Sequence, residues 1–271
     1  MEKATSATET RTNSVPGLAV VIGGGNGIGE ATCRRLRARG WKVVVADKDA
    51  VAAERVAAVV DGTAIALDIC DSLAVEGASD RIERTVGAPT ALVVAAAVFQ
   101  DVLPPERLPL EVWQRTFDVN LTGTFLANRA FGVRMAMRGH GSIVNIASIA
   151  ALGSMPVHAY GTSKAAVVAL TRNLAGEWGR AGVRVNVVSP GSTLVPRIEE
   201  RLKSGRYADD PGTFTALGRM VRPNEVAETI EFLLSERASA ITGQNIVVDA
   251  GWEVAQTWAQ FGGIRPAPKR E

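Results

Sequence analysis

Tyr160 and Lys164 stand four residues apart, in Tyr160-Gly161-Thr162-Ser163-Lys164, within a stretch whose spacing predicts a helix over 158–179. Four residues make about one helical turn, about 6 Å of rise, so the two side chains share a face. A free phenol titrates near pH 10 and moves protons poorly at neutral pH. A neighbouring ammonium favours the phenolate, so Tyr160 beside Lys164 is expected to act as base toward an alcohol or as acid toward a carbonyl oxygen. Spacing alone makes such a pair frequent by chance. Ser148 follows a predicted strand, twelve residues before Tyr160, and offers a hydroxyl to the same substrate oxygen. Asn120 lies inside a long helical stretch, in Asp118-Val119-Asn120-Leu121-Thr122-Gly123. It reads either as a satisfied interior amide or as the anchor of a water in a proton relay. His158 is read as a substrate contact or as an ordinary histidine at a helix start.

A second constellation opens the chain. Gly23-Gly24-Gly25-Asn26-Gly27-Ile28-Gly29 follows a predicted strand and precedes a helix beginning Glu30-Ala31-Thr32. Glycines there allow positive φ angles and close approach of the backbone to a pyrophosphate, and the helix start offers N–H groups and a partial positive charge. Strand before and helix after make this a dinucleotide turn rather than a chance glycine run. Asp47 closes the second predicted strand 18 residues beyond Gly29. A carboxylate at that place accepts from adenosine ribose hydroxyls and repels a 2′-phosphate, and position 26 carries Asn26 rather than a base, so NAD is expected over NADP. Lys48 is the counter-argument. Asp68, after the third strand, is expected at the adenine edge or as the cap of the next helix.

The elements that must position these groups alternate. Strands are predicted at Leu18–Ile22, Lys42–Ala46, Thr63–Leu67, Ala91–Ala95, Ser142–Ala147, Val183–Val188 and Asn245–Val248, and helices at 27–39, 49–60, 71–86, 111–137, 158–179 and 224–236. The pattern predicts an α/β fold, a Rossmann-like, doubly wound, parallel seven-stranded sheet with helices on both faces. In 158–179, Ala166, Ala169, Leu170, Asn173 and Leu174 are expected to form one face, with Ala165, Val167 and Val168 leaving little polar surface opposite. Such a helix should be covered on both sides, by the sheet and by a second subunit. Residues 15–251 read as one catalytic domain with an irregular substrate lobe at about 192–219, most broken over 194–219. Residues 252–271 read as an aromatic tail.

Composition narrows the function classes. The 271 residues are 46% hydrophobic and 21% charged, which excludes disorder over the whole length. Thirty Lys+Arg against 28 Asp+Glu leave +2, too little basic excess for a dedicated nucleic-acid binder. No apolar run is long enough to span a bilayer, and the polar, Thr- and Ser-rich residues 1–14 are expected to be a disordered tail without a signal-peptide core. Two cysteines, Cys33 and Cys70, provide neither a disulfide framework nor a metal-ligand set, and a cytoplasmic setting is expected.

Taken in order, the glycine turn 23–29, Asp-Val-Asn-Leu around Asn120, Asn-Ile-Ala-Ser ending at Ser148, Tyr160-xxx-Lys164 and Asn186-Val187-Val188-Ser189-Pro190-Gly191 resemble the short-chain dehydrogenase/reductase family over about residues 16–251. The resemblance implies a catalytic tetrad of Asn120, Ser148, Tyr160 and Lys164, with Lys164 also on the nicotinamide ribose and Asn120 holding a relay water. It implies cofactor contacts from Gly23, Gly25, Asn26, Gly27, Ile28, Gly29, Asp47, Asp68, Ile69, Ala95, Ala96, Tyr160, Lys164, Pro190, Gly191 and Thr193, and a substrate held by Ser148, His158 and Tyr160. Three departures stand out. Ile22 replaces a threonine before the turn, Val94-Ala95-Ala96-Ala97 replaces Asn-Asn-Ala-Gly, and Val195 stands where a threonine usually meets the carboxamide, unless Thr193 takes its place.

The expected activity is NAD-dependent hydride transfer between nicotinamide and a secondary alcohol of small cyclic, polyhydroxylated or hydroxy-acid type. The alternatives are an NADPH-dependent carbonyl or 3-oxoacyl reductase, and a non-catalytic dinucleotide-binding regulator. The pocket walls are expected from 97–105, 150–158 and 192–216, with Phe99, Gln100, Leu152, Met155, Leu194 and Phe214, and Arg197 and Arg201 nearby. Trp252, Trp258 and Phe261 are too many aromatics to leave in water, so the tail is expected to cover a pocket, its own or a neighbour's, in the homotetramer common in the family.

Overall fold

The computed structural model describes residues 17–205 and 209–266, so the expected tail over 1–14 lies outside them. Seven parallel strands form one sheet: β1 Leu18–Ile22, β2 Lys42–Asp47, β3 Thr63–Ala66, β4 Pro89–Val94, β5 Gly141–Ile146, β6 Val183–Pro190 and β7 Asn245–Val248. Their spatial order is β3-β2-β1-β4-β5-β6-β7, and every pairing is parallel. The chain reverses its winding at β1 and β4, so a crevice opens beyond the C-terminal ends of these strands.

Both faces of the central strands are dry, which is why these strands read as unbroken apolar runs. Along β1 the side chains alternate. Leu18, Val20 and Ile22 join a core with α3 Ser72–Thr85 and α5 Thr124–Arg138, contributed by Ile82, Phe131 and Met135. Ala19 and Val21 turn to the opposite core, with Leu36 of α1 Gly27–Ala38, Val56 of α2 Ala50–Val60 and Ile230 of α8 Pro223–Leu234.

One long helix was expected over 111–137. The chain instead makes α4 Leu110–Phe117, a π-helical segment at Asp118–Gly123, and then α5. Widening the turn there rotates Asn120 into the interior, where it is fully buried.

The helix α6 His158–Trp178 is registered on the sheet by a buried polar chain. Asn128 of α5 donates to Asn145 of β5 at 2.8 Å, and Asn145 donates to Thr171 of α6 at 3.0 Å. The face of α6 turned inward carries Tyr160, Ser163, Lys164, Val167, Val168, Thr171 and Ala175. The expected apolar face is therefore a different one: Ala169 and Asn173 are exposed, and Ala166, Leu170 and Leu174 are half-buried. Of the two expected faces, the one with Val167 and Val168 meets the sheet, and the other remains open in the single chain.

The irregular lobe contains a helix that was not expected, α7 Pro196–Lys203, with Pro196 in its first turn. Its base is stitched to the body where Leu194 N donates to Val221 O and Val221 N donates to Ser192 O. Beyond β7 the tail forms α9 Trp252–Ala255 and a 3₁₀ segment at Gln256–Phe261. Trp252 and Gln256 lie against Gly153, while Trp258 and Phe261 remain 43% and 83% exposed in the single chain.

Candidate active site

The glycine turn leads from β1 into α1, and its shape excludes side chains. Gly23 has φ +79°, and a Cβ there would strike the backbone of Ala96. A Cβ on Gly29 would run into the carbonyl of Gly23. Asn26 caps α1 by accepting from the Gly27 N–H at 2.7 Å. These are the requirements of a backbone cradle opening on a helix start, so the residues fit a pyrophosphate.

Main-chain bonds dock the glycine turn and the 94–97 stretch. Gly23 and Gly24 both donate to Ala46 O, at 2.8 and 3.1 Å, in place of a hydroxyl at 22. Ala95 and Ala96 both donate to Ile22 O, at 2.8 and 3.1 Å, so the altered 94–97 stretch stays docked beside the turn.

At the end of β2, Asp47 is fixed by two amides. Its Oδ2 accepts from Gly25 N at 2.9 Å and its Oδ1 from Asp49 N at 3.0 Å. Lys48, the counter-argument to NAD, is ion-paired to Asp68 at 2.7 Å, which holds the Asp68 carboxyl below its usual range together with the Cys70 N–H. The cap of α3 is Asp71 rather than Asp68. Gly25 does not line the cleft. Its role is to let Asp47 and Ala52 approach, since a Cβ there would sit 2.8 Å from the Ala52 methyl and 2.9 Å from Asp47 Oδ2.

The cleft, about 580 Å³, is lined by Asp47, Asp68, Ile69, Ala95, Ala96, Ser148, Tyr160, Lys164, Pro190, Gly191 and Thr193, joining the glycine turn to the expected reacting groups. Lys164 is 2% exposed, and its Nζ donates to Ile146 O at 2.8 Å. Burial lowers its pKa to about 7. Its Nζ lies 5.8 Å from the centre of the Tyr160 ring. The sequence-based expectation that Lys164 depresses the Tyr160 phenol is not met within the chain alone: burial pushes that phenol up to about 12, opposed by the Ser148 hydroxyl beside it and by the charge of Arg197. Desolvation of the phenolate outweighs both of these, while burial disfavours the Lys164 ammonium as well.

The side-chain amide of Asn120 is bonded within the fold. Its Oδ1 accepts from Val98 N at 2.8 Å, and its Nδ2 donates to Val98 O at 3.1 Å and to Ser163 Oγ at 3.1 Å. It thereby ties the segment after β4 to the turn of α6 between Tyr160 and Lys164, and of the two expected readings the satisfied interior amide describes its side chain. His158 does not line the cleft either. Each helical residue turns the side chain by about 100°, so a residue two before Tyr160 points to another side. Leu152, Leu194 and Phe214 also lie off the cleft wall, whereas Phe99, Gln100, Met155, Arg197 and Arg201 are on it.

Gln100 does more than line a wall. It is 3% exposed, and its Oε1 accepts from Ala159 N at 2.5 Å and Tyr160 N at 3.0 Å, capping α6 from a distant loop. Nothing near 158 in the sequence signals a cap, because the capping residue lies about sixty positions away. Gln100→Ala is expected to destabilise the fold by about 1 kcal/mol, as a lost helix cap does. It should lower kcat more than it raises the KM for the dinucleotide, and thermal unfolding with steady-state kinetics checks both.

Among the described residues no helix is long and apolar enough to cross a membrane. Residues 23–253 match the family model described as enoyl-(acyl carrier protein) reductase. D-threitol dehydrogenase of Mycolicibacterium smegmatis is 35% identical, covering 88% of this chain and 93% of that protein. The cis-4-hydroxycyclohexanecarboxylate dehydrogenase of Sinomonas cyclohexanicum is 36% identical, covering 87% and 96%. Among solved structures, one described as ribose-5-phosphate isomerase from Brucella melitensis 16M is 46% identical with a TM-score of 0.91, covering 93% of this chain and 98% of that one. With a parallel dinucleotide fold, a Tyr-Lys pair in its cleft and relatives that are dehydrogenases of alcohols, the chain belongs to the short-chain dehydrogenase/reductase family and is an oxidoreductase that acts on alcohol groups with a nicotinamide dinucleotide.

Proposed function

We propose that the protein is an NAD-dependent dehydrogenase of small cyclic or polyhydroxylated secondary alcohols, working through Ser148, Tyr160 and Lys164. The observation that carries the cofactor reading is Asp47, whose carboxylate is held at the rim of the adenosine end by Gly25 and Asp49 while Lys48 is engaged by Asp68. A 2′-phosphate would meet a fixed negative charge there, and Lys48 would have to leave Asp68 to pair with it.

In this reading the 23–29 turn holds the pyrophosphate, Asp47 the adenosine ribose, and Pro190, Gly191 and Thr193 flank the nicotinamide end. Bound NAD⁺ supplies the acceptor for the hydride leaving the alcohol carbon. The Ser148 hydroxyl orients the substrate oxygen, and Tyr160, as its phenolate in the loaded cleft, would accept the hydroxyl proton as the carbonyl forms. Lys164 donates into the ribose side of the cleft, and Asn120 and Gln100 keep α6 in place. The substrates named for the relatives, a tetritol and a hydroxylated cyclohexane acid, support a small polar alcohol. The isomerisation named for the Brucella structure is not adopted, because the carboxylates that line this cleft, Asp47 and Asp68, stand at its adenosine end. A homotetramer in the cytoplasm completes the proposal. Apolar surface at Leu110, Phe125, Val133 and Met137 supports self-association.

The test is the near-ultraviolet absorbance of reduced nicotinamide with NAD⁺ or NADP⁺ and a panel of polyols, cyclic diols, hydroxy acids and steroids. Turnover with NAD⁺ is expected. Asp47→Asn keeps an acceptor for Gly25 while removing the charge, so it should improve kcat/KM for NADP⁺ by about 10-fold. Turnover of the wild type with NADP⁺ alone would overturn the cofactor assignment.

A further inference from the structure

Phe99 is held on both faces. Its ring lies on the Tyr160 ring with centres 4.5 Å apart, 27° from parallel. The Arg197 guanidinium carbon lies 3.5 Å from the centre of the same Phe99 ring. Two groups so close to one ring cannot share a face, so Phe99 is sandwiched between the first turn of α7 and the tyrosine of α6. Offset stacking on one side and a cation over the other are both attractive for a phenyl ring.

The segment that carries Phe99 is pinned along its length. Ala95 and Ala96 donate to Ile22 O, Val98 exchanges two bonds with the amide of Asn120, and Gln100 Oε1 accepts from Ala159 N and Tyr160 N. Phe99 sits between the last two of these anchors, so its backbone cannot retreat from Tyr160 without breaking one of them. Its ring is 45% exposed and lines the cleft, whereas Tyr160 beneath it is 8% exposed. With both faces of Phe99 taken, the part left open is the edge of the ring.

A tyrosine that moves a proton must bring its hydroxyl within hydrogen-bond reach of the substrate oxygen. The torsion that turns its ring is intrinsically broad, so the side chain alone does not fix the plane of the phenol. A flat, immobile neighbour on one face does fix it.

We propose that Phe99 is a positioning residue for the reaction: clamped by Arg197, it sets the plane of the Tyr160 ring, so that the hydroxyl meets the substrate oxygen beside Ser148, and it keeps water off that face. This rests on the dehydrogenase reading above and adds to it a residue that acts through Tyr160 rather than on the alcohol.

The experiment follows NAD⁺ reduction with the best alcohol of the panel in the wild type, Phe99→Leu and Phe99→Tyr. Leucine stays apolar but loses the flat ring, and tyrosine keeps it. Phe99→Leu should lower kcat by about tenfold with the KM for NAD⁺ within about twofold, as a misplaced reacting group does. Phe99→Tyr should recover most of that loss. A kcat of Phe99→Leu within about twofold of the wild type overturns the inference, and so does a Phe99→Tyr no faster than Phe99→Leu. A change confined to the KM for NAD⁺ overturns it too, by assigning Phe99 to the dinucleotide. The phenolate difference spectrum of the dinucleotide-free protein gives a readout without turnover, taken for Phe99→Ala against Phe99→Ala combined with Tyr160→Phe. The side chains that act on the phenol among the described residues are Ser148 and Arg197, with the Lys164 ammonium 5.8 Å from the ring centre, and burial outweighs them. The segment 95–100 brings no charge of its own. Water admitted by removing Phe99 should therefore move the phenolate wave down from about 12, by about one pH unit. A wave that stays where it is in the wild type overturns the inference whatever the rates. A shifted wave supports it even where no alcohol of the panel reacts, an outcome that tells against the dehydrogenase reading alone.

Discussion

Tyr160→Phe is expected to lower kcat by about 10³-fold while leaving the affinity for NADH within about twofold, because the substitution removes one proton acceptor and no packing. The ring of residue 160 stays clasped between Phe99 and the interior, and α6 keeps its Gln100 cap, which bonds only the main chain of Ala159 and Tyr160. Fluorescence titration with NADH and initial rates separate the two quantities. An activity loss below about tenfold would mean that another group takes the proton. The chain holds two tyrosines, which makes the ionisation itself measurable by subtracting the Tyr160→Phe titration from that of the wild type. Without dinucleotide, the difference spectrum should show no phenolate until the pH approaches about 12, where burial has placed the group. The sign is that of an acid whose charged form is desolvated. Stability from the neutral phenol is intact below pH 10 and is lost as pH rises through about 12. A wave near neutral pH in the dinucleotide-free protein would show that Lys164 already does the work alone.

The sheet was legible because its strands are buried on both faces and bounded by turn residues, so apolar runs such as Ala19-Val20-Val21 left no competing reading. The glycine turn was equally plain, since Gly23 and Gly29 have no substitute where the backbones touch. What escaped the sequence are effects of distant partners. The cap on α6 comes from Gln100, and the π segment at 118–123 exists because Asn120 is satisfied by Val98 and Ser163, neither of them its neighbour in the chain. The balance of charge in the Tyr-Lys pair depends on packing in the same way. Spacing reports that two groups are close, while burial decides which form each prefers, and burial is a property of the packed helix. α7 was hidden by its composition of charges and a proline, which spell an exposed amphipathic turn and an irregular loop equally well.

Lys164→Met should make the protein more stable and nearly inactive. In the wild type an ammonium is buried with the Ile146 carbonyl as its recorded hydrogen-bond partner, and its pKa falls from 10.5 to about 7. Below pH 7 the lysine is charged in folded and unfolded chains alike, so the folded state bears the full desolvation cost, on the order of 5 kcal/mol for a shift of this size. Between pH 7 and 10.5 the folded chain releases the proton that the unfolded chain keeps, and stability therefore rises with pH across that window. Methionine fills the same space with an apolar chain and sacrifices one bond to Ile146, a loss of about 1–3 kcal/mol that does not cancel the gain. The variant should melt about 5 °C or more above the wild type at pH 6, and the gap should close as pH climbs toward 10. Activity should move the other way, with kcat/KM down by about 10²- to 10³-fold, since the group we propose as donor to the nicotinamide ribose is gone. A melting temperature equal to the wild type at pH 6 would mean that Lys164 is solvated or neutral there. If the variant lost both stability and activity, Lys164 would be a structural residue of the α6 interface rather than a group kept for chemistry at the expense of the fold.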